Sequence, residues 1–106
     1  MGIDEGMIRE IVRRITSVVK PDKIILFGSA AQGEMTPDSD IDLLVIEKDV
    51  PSPRAESVRL RDALDDVGYP VDVFVVSCGY FEDTKNIFGG LAYPAHKYGK
   101  VIYDAG

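Results

Sequence analysis

Three aspartates stand where a folding chain ordinarily avoids charge. Asp40 and Asp42 open an apolar run (Ile41, Leu43, Leu44, Val45, Ile46), and Asp72 lies near the start of another, Val71 to Val76. In an extended strand Asp40 and Asp42 point to the same side, about 7 Å apart at roughly 3.3 Å of rise per residue. Carboxylates at that spacing repel by a few kcal/mol at an effective dielectric near 20, and an apolar setting adds a desolvation cost. A divalent cation is the natural compensator, because hard ions such as Mg²⁺ take oxygen ligands and share them with phosphates. Neighbouring strands sit about 4.8 Å apart and paired catalytic metals about 3.5–4 Å. Asp72 on a strand beside the first two would therefore complete a three-carboxylate metal site. Upstream, the run Ile24-Ile25-Leu26-Phe27 stops at Gly28-Ser29. A helical turn opening at Ser29 offers free backbone N–H groups and a hydroxyl, which together make a phosphate cradle. The plainer readings are an N-cap serine in an ordinary turn and solvated acids at strand entrances. Asp42, flanked by Ile41, Leu43 and Leu44, fits the latter poorly.

The same residues carry a resemblance. Gly28-Ser29, ten intervening residues, then Asp40-Ile41-Asp42 matches the GS-x10-DxD signature of the polymerase-β-like nucleotidyltransferase superfamily. The stretch LFGSAAQGEMTPDSDIDLLV resembles its small stand-alone branch, the minimal nucleotidyltransferases, and the tail AHKYGKVIYD resembles their closing segment. The resemblance implies an α+β, two-layer fold, a small mixed sheet with helices packed mainly on one face. It implies two Mg²⁺ ions ligated by Asp40, Asp42 and Asp72, with Asp72 at the metal of the nucleophile, and a nucleoside triphosphate, ATP, held at Gly28 and Ser29. The implied reaction is transfer of AMP to a hydroxyl of a partner protein, a HEPN-domain toxin of a toxin–antitoxin pair. The family often carries arginines just after the serine, where this chain has Ala30 and Gln32. Two cations for the triphosphate are thus missing. The alternative reading is therefore an inactive relative, a binding module that neutralises its partner by occlusion. A third reading, transfer to a small molecule, lacks any drug-binding domain in this sequence.

Whole-chain properties bound these readings. At 106 residues, 45% hydrophobic and 28% charged, the composition is that of one soluble globular domain spanning residues 1–106. A net charge of −6 and a pI near 4.6 oppose a nucleic-acid surface, which draws on clustered Lys and Arg. One cysteine, Cys78, excludes an internal disulfide and fits a reducing cytoplasm. No apolar run approaches the ~20 residues of a membrane span, and the acidic N-terminus is unlike a signal peptide. The expected setting is cytoplasmic, without a membrane. His96, the only histidine, lacks Cys or acid neighbours in sequence and reads as a packing or surface residue.

The elements that must position the acids follow from periodicity. Apolar residues at three- and four-residue spacing predict a helix from Asp4, as N-cap, to Val19, with Arg9, Arg13 and Arg14 on a solvated face. Strands are expected at Lys23–Phe27, Asp40–Glu47 and Val71–Val76, with Thr36-Pro37-Asp38-Ser39 as a turn. Ser52 caps a second helix that begins at Pro53 and runs to about Val67. A short helix is expected over Tyr80–Phe88 with Phe81 and Phe88 inward. A further helix over Ala92–Tyr98 and a strand over Val101–Tyr103 close the chain. Apolar residues continue on both sides of the acid-bearing strands, more than two main helices cover. That predicts an exposed apolar patch, hence a protein partner or a homo-oligomer.

Overall fold

The computed structural model describes residues 5–28, 31, 40–88, 90 and 92–105. Asp4, Ser29, Ala30, Gln32 and the turn at 36–39 lie outside the described residues. Helix α1 (Glu5–Val18) leads to β1 (Lys23–Phe27) and β2 (Ile41–Glu47). Helix α2 (Pro53–Ala63) connects to β3 (Val71–Ser77), and α3 (Cys78–Thr84), α4 (Ala92–Tyr98) and β4 (Lys100–Asp104) follow. The sheet has the order β3-β2-β1-β4. β1 pairs antiparallel with β2 and β4, while β2 and β3 run parallel, so the sheet is mixed. The parallel pair needs a crossover, and α2 supplies it.

Strand alternation sorts the apolar side chains into two cores. On one face Ile24, Leu26, Ile41, Leu43, Val45, Val73 and Val75 pack under Ile11 and Ile15 of α1 and Leu60 of α2. On the other, Ile25, Phe27, Leu44 and Ile46 pack under Phe81 of α3 and Ala92 and Ala95 of α4. The two long helices thus share one face, as the resemblance implies, and the two short ones roof the other. Both central strands are buried on both sides, which accounts for their unbroken apolar runs.

Three expectations need correction. Helix α2 stops at Ala63 and continues to Val67 only as turns, through Leu64 N–H donating to Arg61 O and Val67 N–H to Leu64 O. Asp62, Asp65 and Asp66 place negative charge at the helix C-terminus, where the backbone dipole disfavours it. Helix α3 starts two residues early because Ser77 caps it, its hydroxyl accepting from Tyr80 N–H at 3.1 Å. The helix consequently ends before Phe88, whose ring is 84% exposed, while Phe81 is buried as expected. Arg14 is not merely solvated: it donates to Ala63 O at 3.2 Å and pairs with Asp66, tying α1 to the end of α2.

One close approach locks the C-terminal segment to the sheet. A Cβ at Gly99 would stand 2.3 Å from Ala95 O, 2.6 Å from Ile25 Cγ2 and 3.0 Å from Leu26 O. Two of these are backbone atoms that cannot rotate away. Gly99→Ala is expected to lose roughly 1–3 kcal/mol, the usual cost of overpacking. Urea unfolding measures it, and an unchanged midpoint would show that α4 is free to lift off β1.

Candidate active site

The parallel register sets Asp42 directly across from Asp72, and the antiparallel register sets Asp42 across from Phe27. Asp40 precedes β2 by one residue and is exposed, while Asp42 and Asp72 are half-buried. Asp42 and Asp72 share the face that carries Leu44, Ile46 and Phe74. Across β2, the rings of Phe27 and Phe74 meet at a centroid distance of 6.0 Å and close an apolar wall beside Asp42. Burial pushes the Asp42 carboxyl above the usual carboxylate range, and the charges of Asp72 and then Asp40 push it further. No cation is among the groups acting on it.

Gly28 has a physical reason to be glycine. It ends β1 at a φ of +75°, in the left-handed region. A Cβ there would lie 2.3 Å from Asp42 Oδ2 and 3.3 Å from its Cγ. The bare backbone is therefore needed for the carboxylate itself, a contact that the sequence reading, with its phosphate cradle, did not foresee. Ser29, the other half of the cradle, lies outside the described residues.

Among the described residues, no three His, Cys, Asp or Glu side chains are gathered tightly enough to grip a metal ion as they stand. Asp40, Asp42 and Asp72 nevertheless suit a hard divalent cation in kind: three carboxylates, of which Asp72 and Asp40 both oppose the charge of Asp42. Repulsion of like charges holds such side chains apart, and a cation between them reverses the sign of that force.

A family model described as a nucleotidyltransferase domain matches residues 6–95, spanning β1, β2 and β3 with all three acids. The chain belongs to the nucleotidyltransferase-domain family. Within it, the chain is a minimal nucleotidyltransferase, the branch that the stretch from Leu26 to Val45 resembles. A candidate protein adenylyltransferase of Methanocaldococcus jannaschii is 38% identical over 48 residues, which cover 43% of this chain and 48% of that protein. The chain thus matches about half the length of that relative. A crystal structure of a toxin–antitoxin with AMP-PNP superposes with a TM-score of 0.63 at 25% identity, over 92% of this chain and 73% of the other. A second toxin–antitoxin structure, an MntA–HpeT double aspartate-to-glutamate variant, gives 0.62 at 21% identity, over 92% and 72%. This second likeness concerns the fold. No described helix is long and apolar enough to cross a membrane.

Two outcomes test this geometry. Gly28→Ala is expected to lose roughly 1–2 kcal/mol to the left-handed backbone alone, plus the cost of displacing Asp42. Adding Asp42→Ala should restore part of the loss in urea unfolding; a loss that stays whole would deny the contact. For Asp42 the folded pKa lies above the unfolded one, so ionisation at neutral pH costs the folded state. Asp42→Asn in metal-free buffer should therefore melt higher than wild type at pH 7. The gap should close as the pH falls below the ordinary aspartate range, and a gap constant with pH would mean that Asp42 is not under strain.

Proposed function

We propose that this nucleotidyltransferase moves AMP from ATP onto a hydroxyl of a partner protein, the toxin of a toxin–antitoxin pair. What carries the reading is Asp42, backed by the bare Gly28 backbone and faced by Asp72, inside a matched nucleotidyltransferase domain. The match to a candidate protein adenylyltransferase supports AMP as the group and protein as the acceptor. The toxin–antitoxin likeness with AMP-PNP supports the nucleotide and the partner. A HEPN-domain toxin is the partner that the sequence resemblance implies.

In this reading Asp40, Asp42 and Asp72 would hold two Mg²⁺ ions, which would supply charge neutralisation for the triphosphate and lower the pKa of the attacking hydroxyl. Gly28, lacking a side chain, leaves room at the end of β1 for the Asp42 carboxylate to sit against the backbone. Asp72 orients the acceptor hydroxyl and takes its proton. The hydroxyl oxygen forms a bond to the α-phosphorus, the bond from that phosphorus to the β-bridging oxygen breaks, and pyrophosphate leaves with the electron pair. Phe27 and Phe74 keep water from one side of Asp42, which strengthens electrostatic interactions there.

A second reading, neutralisation by occlusion without turnover, is favoured by a specific observation. Of the described residues, no cation is among the groups acting on Asp42, and Ala30 and Gln32 stand where relatives often have arginine. The experiment pairs the purified toxin encoded beside this chain with labelled ATP and Mg²⁺. Label should pass to the toxin, and Asp42→Asn or Asp72→Asn should cut the rate at least a hundredfold, about 2.7 kcal/mol in barrier. Toxin neutralisation that survives in the triple Asp40, Asp42 and Asp72 asparagine variant, without any transfer by wild type, would replace catalysis by occlusion.

A further inference from the structure

Strand β2 ends on a second unrelieved carboxylate. Glu47 is 8% exposed, the single buried charged side chain among the described residues, and its Oε2 has no hydrogen-bond partner. By alternation it lies on the face of Leu43 and Val45, opposite to Asp42. Five residues of strand separate the two, about 17 Å at 3.3 Å per residue. Burial opposes ionisation of Glu47, the charge of Glu56 on the packed helix opposes it further, and that of Arg59 favours it. Arg59, however, is taken up by Glu56 at 3.0 Å.

Glu47 lines a cleft of about 700 Å³ between the end of α1, the end of β2 and β4. That volume is within the range of small-molecule sites, about 300–1,000 Å³. Two more acids, Asp22 and Asp49, line it, and Val19 and Tyr103 give it an apolar wall. Lys20 and Lys48 also reach the cleft, but both are exposed and neither forms an ion pair with these acids among the described contacts. The three acids are too dispersed to grip a metal ion. A buried acceptor, an apolar wall and room for several heavy atoms instead suit a cation on a hydrocarbon stem.

We propose that the Glu47 cleft binds an organic cation, an alkylguanidinium or alkylammonium group whose stem lies along Val19 and Tyr103. The group belongs either to a free small molecule or to an arginine or lysine side chain of a bound protein. Neither source requires nucleotidyl transfer, so the site stands or falls apart from the catalytic reading.

Calorimetric titration of the full chain with butylguanidinium, N-acetyl-arginine amide and the neutral isostere butylurea tests it. At least one of the two cations should bind saturably at one per chain. Glu47→Gln should bind that cation at least tenfold more weakly, while melting no lower than wild type, since it removes an unpaired buried charge but keeps the shape. Binding of butylguanidinium assigns the cleft to free small molecules, and binding of the arginine amide alone assigns it to a protein side chain; both support the site. The proposal is overturned if neither cation gives saturable heat, if butylurea binds as well as butylguanidinium, or if Glu47→Gln binds like wild type.

Discussion

The structure turns on a carboxylate placed where its charge is opposed from three sides. Asp42 has the Gly28 backbone at its back, the Phe27–Phe74 wall beside it and Asp72 across the strand pairing. None of these neighbours can be exchanged freely. A side chain at residue 28 would displace the carboxylate, and a register slip of one residue would turn Asp42 into the α1–α2 core. The sheet thus holds the acid in a position the chain would not choose on stability alone, and its raised proton affinity measures that opposition. In the proposed function a divalent cation would relieve that opposition, so the rigidity of the strands would bear on affinity for the ion.

Rigidity comes from the double burial of β1 and β2. With α1 and α2 on one face and α3 and α4 on the other, Ile24, Leu43, Leu44 and Val45 lose nearly all contact with water. Each fully buried side chain of this size contributes roughly 1.5–3 kcal/mol, so the two cores together can offset a repulsion of a few kcal/mol at the strand's beginning. The parallel β2–β3 pair matters most, because it delivers two acids from distant parts of the sequence to one level of the sheet. Its crossover helix α2 is held against α1 by Leu60 beneath and Arg14 at the end. An ion pair far from the acids thereby helps to keep their strands in register.

The sheet was legible because its signals are local. Unbroken apolar runs mark β1 and β2, and a period of two puts Leu44 and Phe74 on the side of the acids. The parallel pairing of β2 with β3 is not read from the sequence, although the helix-length connection between them allows it. What the sequence concealed were contacts between elements. The clash between a Cβ at residue 28 and Asp42 depends on how tightly two chain segments pass, which no periodicity encodes. Phe88 reads as an inward helical residue only if α3 begins at Tyr80; the Ser77 cap moves the start and leaves the ring outside. Arg14 looks solvated on a helical wheel, because its partners lie about fifty residues away. Glu47 carried no sequence signal either, since a glutamate closing a strand is ordinarily wet.

Asp42 and Glu47 together make β2 a strand with a charge problem at each end and nothing but hydrocarbon between. The two problems differ in kind. At the beginning, Asp42 and Asp72 stand at one level where β2 and β3 pair, the place where the proposed small, hard, doubly charged ion would sit. At the end, Glu47 is turned to the other face, its companions are dispersed around a cleft, and a point charge would leave most of that space unfilled. Under the two proposals, the same residue chemistry would select different cations through the geometry of its surroundings. Because the two carboxylates lie on opposite faces and about 17 Å apart, their direct interaction is only about 1 kcal/mol at an effective dielectric near 20. Coupling between them would have to pass through the packed strand itself, whose buried side chains have little freedom to transmit it.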